Sequence, residues 1–69
     1  MIMAKLTNNQ LNETVNVTCY GKTKKYIRRK AIEFFLDGMM SCDPDSSEYD
    51  RYETIHRRLL NGDIDINDE

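Results

Sequence analysis

The stretch Val15-Asn16-Val17-Thr18-Cys19-Tyr20-Gly21-Lys22-Thr23-Lys24-Lys25-Tyr26-Ile27-Arg28-Arg29-Lys30-Ala31-Ile32-Glu33-Phe34-Phe35-Leu36 changes period midway, and that change decides the fold class. Val15, Val17 and Cys19 alternate with polar residues, the period-2 signature of a half-buried strand. Gly21-Lys22 fits a two-residue hairpin loop with glycine first, so Thr23 to Ile27 reads as the returning strand. In that register Val17 faces Tyr26 and Cys19 faces Lys24 on the core side, with Thr18 facing Lys25 and Asn16 facing Ile27 on the other. From Arg28 the spacing becomes helical. Ile32, Phe35, Leu36 and Met39 fall at i, i+3, i+4 and i+7, an apolar stripe broadened by Phe34 and Met40. Gly38 within it marks either a close packing contact or an early fraying point.

Outward from this segment, Pro44 ends the first helix by Asp43. Asp45 with Glu48, or Ser47 with Asp50, supplies a capping box for a second helix. Tyr52, Ile55, Leu59 and Leu60 line that helix on one side, and Gly62 stops it. Asp63-Ile64-Asp65-Ile66 alternates again and reads as a short third strand with both isoleucines toward the helices. The expected fold is α+β: a small antiparallel sheet, made of the hairpin and a possible short third strand, packed on a two-helix hairpin in the order β-β-α-α-β. Residues 1–12 read as a flexible N-terminal arm, 13–66 as a single small domain and 67–69 as an acidic tail. A 69-residue chain supports only one small core, so such a domain is marginal by itself.

Net charge is −2, which conceals a division. Residues 1–35 carry seven Lys and Arg against two acids, while residues 36–69 carry three against ten. Six of the nine residues from Lys22 to Lys30 are basic, and Arg28, Arg29 and Lys30 fall in the first turn of the first helix. The helix dipole disfavours cations there. A local rule broken in this way points to function, because unpaired N–H groups with nearby cations make an anion site. Lys22, Lys24, Lys25, Arg28, Arg29 and Lys30 are therefore the candidate binding residues for an anion or acidic partner. Phe34 and Met40 are a possible hydrophobic contact. The competing account is a solvated face neutralised by the chain's own acids, with Asp63, Asp65, Asp68 and Glu69 as candidates.

Catalytic and metal motifs do not survive inspection. Gly21-Lys22-Thr23 copies the end of a phosphate-binding loop, but position 16 is Asn16 where that motif requires glycine. Asp43 to Ser47 resembles the start of a calcium loop, but the sixth position is Glu48 and the twelfth Thr54. Cys19 and Cys42 lack metal spacing, and His56 has no recognisable nucleophile or base partner. No catalytic residue, metal or cofactor is expected. The polar start after Leu6 and the lack of a long apolar run suggest a cytoplasmic protein without a membrane partner.

Tyr20 to Tyr26, Arg29 to Gly38 and Tyr52 to Gly62 together resemble a group of small uncharacterised proteins from Gram-positive gut bacteria and their mobile elements. The resemblance implies a bacterial cytoplasmic setting and assigns no residue a role. The expected function is a non-catalytic small interaction module. It would bind an acidic protein partner, or self-associate as a homo-oligomer, through the basic hairpin and helix N-terminus. The alternative is a nucleic-acid-binding accessory protein that contacts phosphates with the same surface, which an isoelectric point near 5.3 disfavours.

Overall fold

The computed structural model describes residues 6–68. A short helix α1 (Asn8–Leu11) precedes the hairpin β1 (Thr14–Cys19) and β2 (Lys22–Ile27). Helices α2 (Arg28–Ser41) and α3 (Ser47–Asn61) follow, and β3 (Asp65–Asn67) closes the chain. The β-β-α-α-β order is therefore present, with strand order β2-β1-β3. α2 lies against β2, α3 lies against β3, and the two helices pack on each other. Between the layers sits a core of Val15, Val17, Ala31, Phe35, Ile55, Leu59 and Ile66.

The hairpin turn lies one residue earlier than the glycine suggests. Tyr20 and Gly21 are its two central residues, both with positive φ (54° and 77°). That is the type I′ geometry, whose twist matches that of the flanking strands. Val15 accordingly pairs with Tyr26, Val17 with Lys24 and Cys19 with Lys22. The register differs from the expected one by two residues. An even shift leaves every side chain on its expected face, so the core face is unchanged.

The sheet is mixed, where an antiparallel one was expected. β3 runs parallel to β1, with Val17 opposite Ile66. Chain reversal explains this: β1, β2, α2, α3 and β3 each turn back on the last, so the fifth element points like the first. An antiparallel third strand would have had to lie outside β2, and that edge is vacant among the described residues. Ile66 is buried as expected, but Ile64 is 41% exposed. Strand geometry begins only at Asp65, so the alternation read from Asp63 starts too early. Leu36, placed in the core stripe, is 40% exposed because α2 buries the narrower face of Arg28, Ala31 and Phe35.

Both ends of the domain extend past their expected limits. Thr7 caps α1 in a reciprocal box with Gln10, so residues 8–11 form a helical turn within the stretch read as a loose arm. Residues 1–5 of that arm lie outside the described residues, as does Glu69 of the tail. Asp68, read as tail, is only 9% exposed and joins the fold through Tyr20 and Arg51. The α3 cap also differs: the Ser46 hydroxyl accepts from the Tyr49 N–H, where capping boxes at Asp45 or Ser47 were expected. Gly62 ends α3 in the left-handed region as anticipated (φ 93°).

Candidate functional site

Arg28 accounts for much of the anomaly at the start of α2. Its side chain is fully buried. Nε donates to the Gln10 carbonyl at 3.1 Å, one terminal nitrogen to the Leu59 carbonyl at 2.8 Å, and the other to Gly62 O at 3.1 Å. That second terminal nitrogen also meets a Glu13 carboxylate oxygen at 3.3 Å. The helices of the hairpin run antiparallel, so the N-terminus of α2 sits beside the C-terminus of α3. A cation that is poorly placed for one dipole is well placed for the other, and here it donates to carbonyls at the C-terminal end of α3. Arg28 is thus corrected from a contact residue to an internal tie between α1, Glu13 just before β1, and the end of α3.

The other five cations are exposed, and none has an ion-pair partner among the described residues. Among the described residues no acid neutralises them, and Glu69 lies outside those residues. Asp63 lies 3.8 Å from Arg58, Asp65 accepts from the Asn16 amide at 2.9 Å, and Asp68 holds Arg51 at 2.7 Å. Nor do the five cations share one surface. Strand alternation sends Lys22 and Lys24 to the helix-facing side and Lys25 to the open face. Arg29 and Lys30 stand on the first turn of α2, with Lys30 one turn before Phe34 on the same side of the helix.

Lys22 and Lys24 border a groove of about 320 Å³ between β2 and the helices. Its apolar walls come from Tyr20, Tyr26, Phe34, Phe35 and Tyr52. The rings form a connected series. Phe34 and Phe35 centroids are 5.1 Å apart edge to face, Tyr26 lies 6.0 Å from Phe34 and 5.7 Å from Phe35, and Tyr52 lies 5.8 Å from Phe35. Phe34 remains 57% exposed and Tyr20 55% exposed. Tyr20 is held from behind by the Arg51 guanidinium, 4.8 Å from its ring centroid. The Asp68 carboxylate positions that arginine and also accepts the Tyr20 N–H at 3.0 Å. Met40, paired with Phe34 in the sequence reading, is 78% exposed but is not among the groove walls. Six residues of helix place it about 120° away from Phe34.

Burial, followed by the Asp68 carboxylate, pushes the Cys19 thiol up. Partial desolvation and the Glu48 carboxylate do the same for Cys42, whose sulfur is 3.8 Å from Glu48. Neither thiol is activated as a nucleophile, because a raised pKa lowers the thiolate fraction. Burial lowers the pKa of His56, and its imidazole is half-buried. Among the described residues no group of three or more His, Cys, Asp and Glu side chains is placed to hold a metal ion. No helix among them is long and apolar enough to cross a membrane.

The sequence pointed to the lysines but not to the groove. Tyr20 and Tyr52 sit far apart in the chain, and only the folded arrangement of the hairpin turn and α3 brings both to the lining of one groove. Glu13 and Gln10, which fix Arg28, fall in or next to a segment with no periodic signal. The chain matches no protein-family model, no curated protein and no solved structure.

Proposed function

We propose that this protein is a non-catalytic interaction module that binds an acidic segment of another protein on β2 and the aromatic groove beside it. One observation carries the reading: Lys22 and Lys24 flank exposed aromatic rings and have no carboxylate partner among the described residues. Exposed apolar surface rimmed by charge is typical of a contact site, and lysines at its rim favour acidic partners. The same rings and lysines also suit a single nucleic-acid strand, whose bases stack on aromatics while its phosphates meet cations. The net charge of −2 weighs against that second reading.

Fluorescence anisotropy with labelled polyglutamate and labelled single-stranded DNA tests the two readings side by side. Polyglutamate is expected to bind, to weaken as salt rises and to be lost in the double variant Lys22→Glu, Lys24→Glu. Tighter binding of DNA than of polyglutamate, or no binding of polyglutamate at low salt, overturns the acidic-partner reading.

A further inference from the structure

We infer that β2 takes its partner as an added strand: an extended acidic segment pairs with the outer edge of Lys22–Ile27 and continues the sheet. This mode rests on the acidic-partner reading above. The outer edge of β2 is unpaired among the described residues. Its free backbone groups follow from the bonds of β1. The Asn16 N–H donates to the Ile64 carbonyl at 2.8 Å, and Thr18 O accepts from the Asp68 N–H at 3.1 Å, so both residues point away from β2. Thr18 and Asn16 stand opposite Thr23 and Lys25. In an antiparallel ladder such opposed residues both turn their N–H and C=O outward. Thr23 and Lys25 therefore present unpaired donors and acceptors, the template that strand addition uses, while the Ile27 carbonyl, as N-cap of α2, belongs to that helix.

Charge selects the occupant. A second copy of β2 on this edge would set lysine against lysine, and like charges directly opposite are destabilising. Edge lysines by themselves serve to keep strands apart. Here they stand beside the exposed rings of Tyr20 and Phe34, which a merely guarded edge has no need of. The fitting partner is acidic opposite Lys22, Lys24 and Lys25 and apolar opposite Tyr26 and Ile27. Its residue opposite Tyr26 then lies on the groove side, where Phe34 stands. Antiparallel pairing, the slightly stronger kind, gives the order Ile-Val-Glu-Glu-Thr-Glu as a matched probe.

The test compares that labelled peptide with two N-methylated forms. Methylation of the Glu and Thr opposite Lys25 and Thr23 removes donors that face β2, and affinity is expected to fall about tenfold or more. Methylation of the two Glu opposite Lys24 and Lys22 blocks donors that face solvent and is expected to leave affinity unchanged. In parallel, hydrogen exchange at the Thr23 and Lys25 amides is expected to slow on peptide addition. Equal binding of all three peptides with unchanged exchange overturns strand addition while leaving the acidic-partner reading intact. Failure of both polyglutamate and the hexapeptide to bind overturns the acidic-partner reading itself.

Discussion

Four acceptors surround the Arg28 guanidinium, and three of them are backbone carbonyls that no other side chain among the described residues is seen to satisfy. Removing the donor takes away the Gly62 carbonyl's partner and the stronger of two bonds to Leu59 O, which keeps only the Gly62 N–H at 3.3 Å, and leaves a carboxylate that has lost its cation. Arg28→Met is expected to lower unfolding free energy by about 3–5 kcal/mol in urea titrations. Arg28→Lys keeps the charge but not the planar fork that reaches several acceptors at once, so it is expected to lose about 2 kcal/mol or more. A lysine variant as stable as the parent contradicts the fork argument. At Gly38 the constraint is steric: a Cβ there would lie 3.0 Å from Tyr52 Cδ2. Alanine gains roughly 1 kcal/mol of helix propensity but must displace a ring packed against Phe35. Gly38→Ala is therefore expected to be neutral or destabilising by about 1 kcal/mol, and to become stabilising when combined with Tyr52→Ala. Thermal melts of the two singles and the double complete that cycle.

At the level of elements, the hairpin turn carries a residue that turn chemistry alone does not favour. Tyr20 adopts φ 54°, a left-handed conformation that costs a non-glycine residue about 1–2 kcal/mol. Asparagine before Gly21 would relieve that strain, since Asn-Gly is the preferred type I′ pair. The ring is retained at a position where it stacks on Arg51 and walls the groove. Tyr20→Asn is expected to raise stability by about 0.5–1 kcal/mol after loss of the cation–π contact, and to weaken polyglutamate binding. A variant that is more stable yet binds equally well would remove Tyr20 from the site. This residue also shows why the register was legible only to within two positions. Gly21 announces a turn, but whether it stands first or second depends on its neighbour accepting positive φ. A tyrosine there gives no sign that it will. Parallel pairing of β3 was similarly hidden, because Asp65-Ile66-Asn67 specifies a strand without specifying which edge receives it.

For the molecule as a whole, the period-2 and period-3.6 patterns were sufficient to give element order, helix limits and most of the core. The charge division was equally plain, but the fate of each charge was not. Arg28 reads like its neighbours Arg29 and Lys30 in the chain, and only the antiparallel packing of α2 on α3 turns it inward. Asp68 reads as part of a loose acidic end, yet it joins β3 and Arg51 on α3 to the hairpin turn. These long-range ties make stability depend on pH in a definite direction. Burial lowers the pKa of His56 from 6.5, so the unfolded chain protonates first and stability falls as pH drops below that value. The Tyr20 N–H, with Arg51, holds the Asp68 carboxyl below its ordinary 3.8. Its contribution is present above 3.8 and is lost as pH falls through the lower folded value. Urea midpoints measured against pH should therefore decline in two stages on the acid side. His56→Gln is expected to flatten the first stage and Asp68→Asn the second, with Asp68→Asn also less stable at neutral pH. If Asp68→Asn retains the parental acid limb, the Asp68 tie to the hairpin turn does not contribute to folding, and Tyr20 must be held in the groove by Arg51 stacking alone.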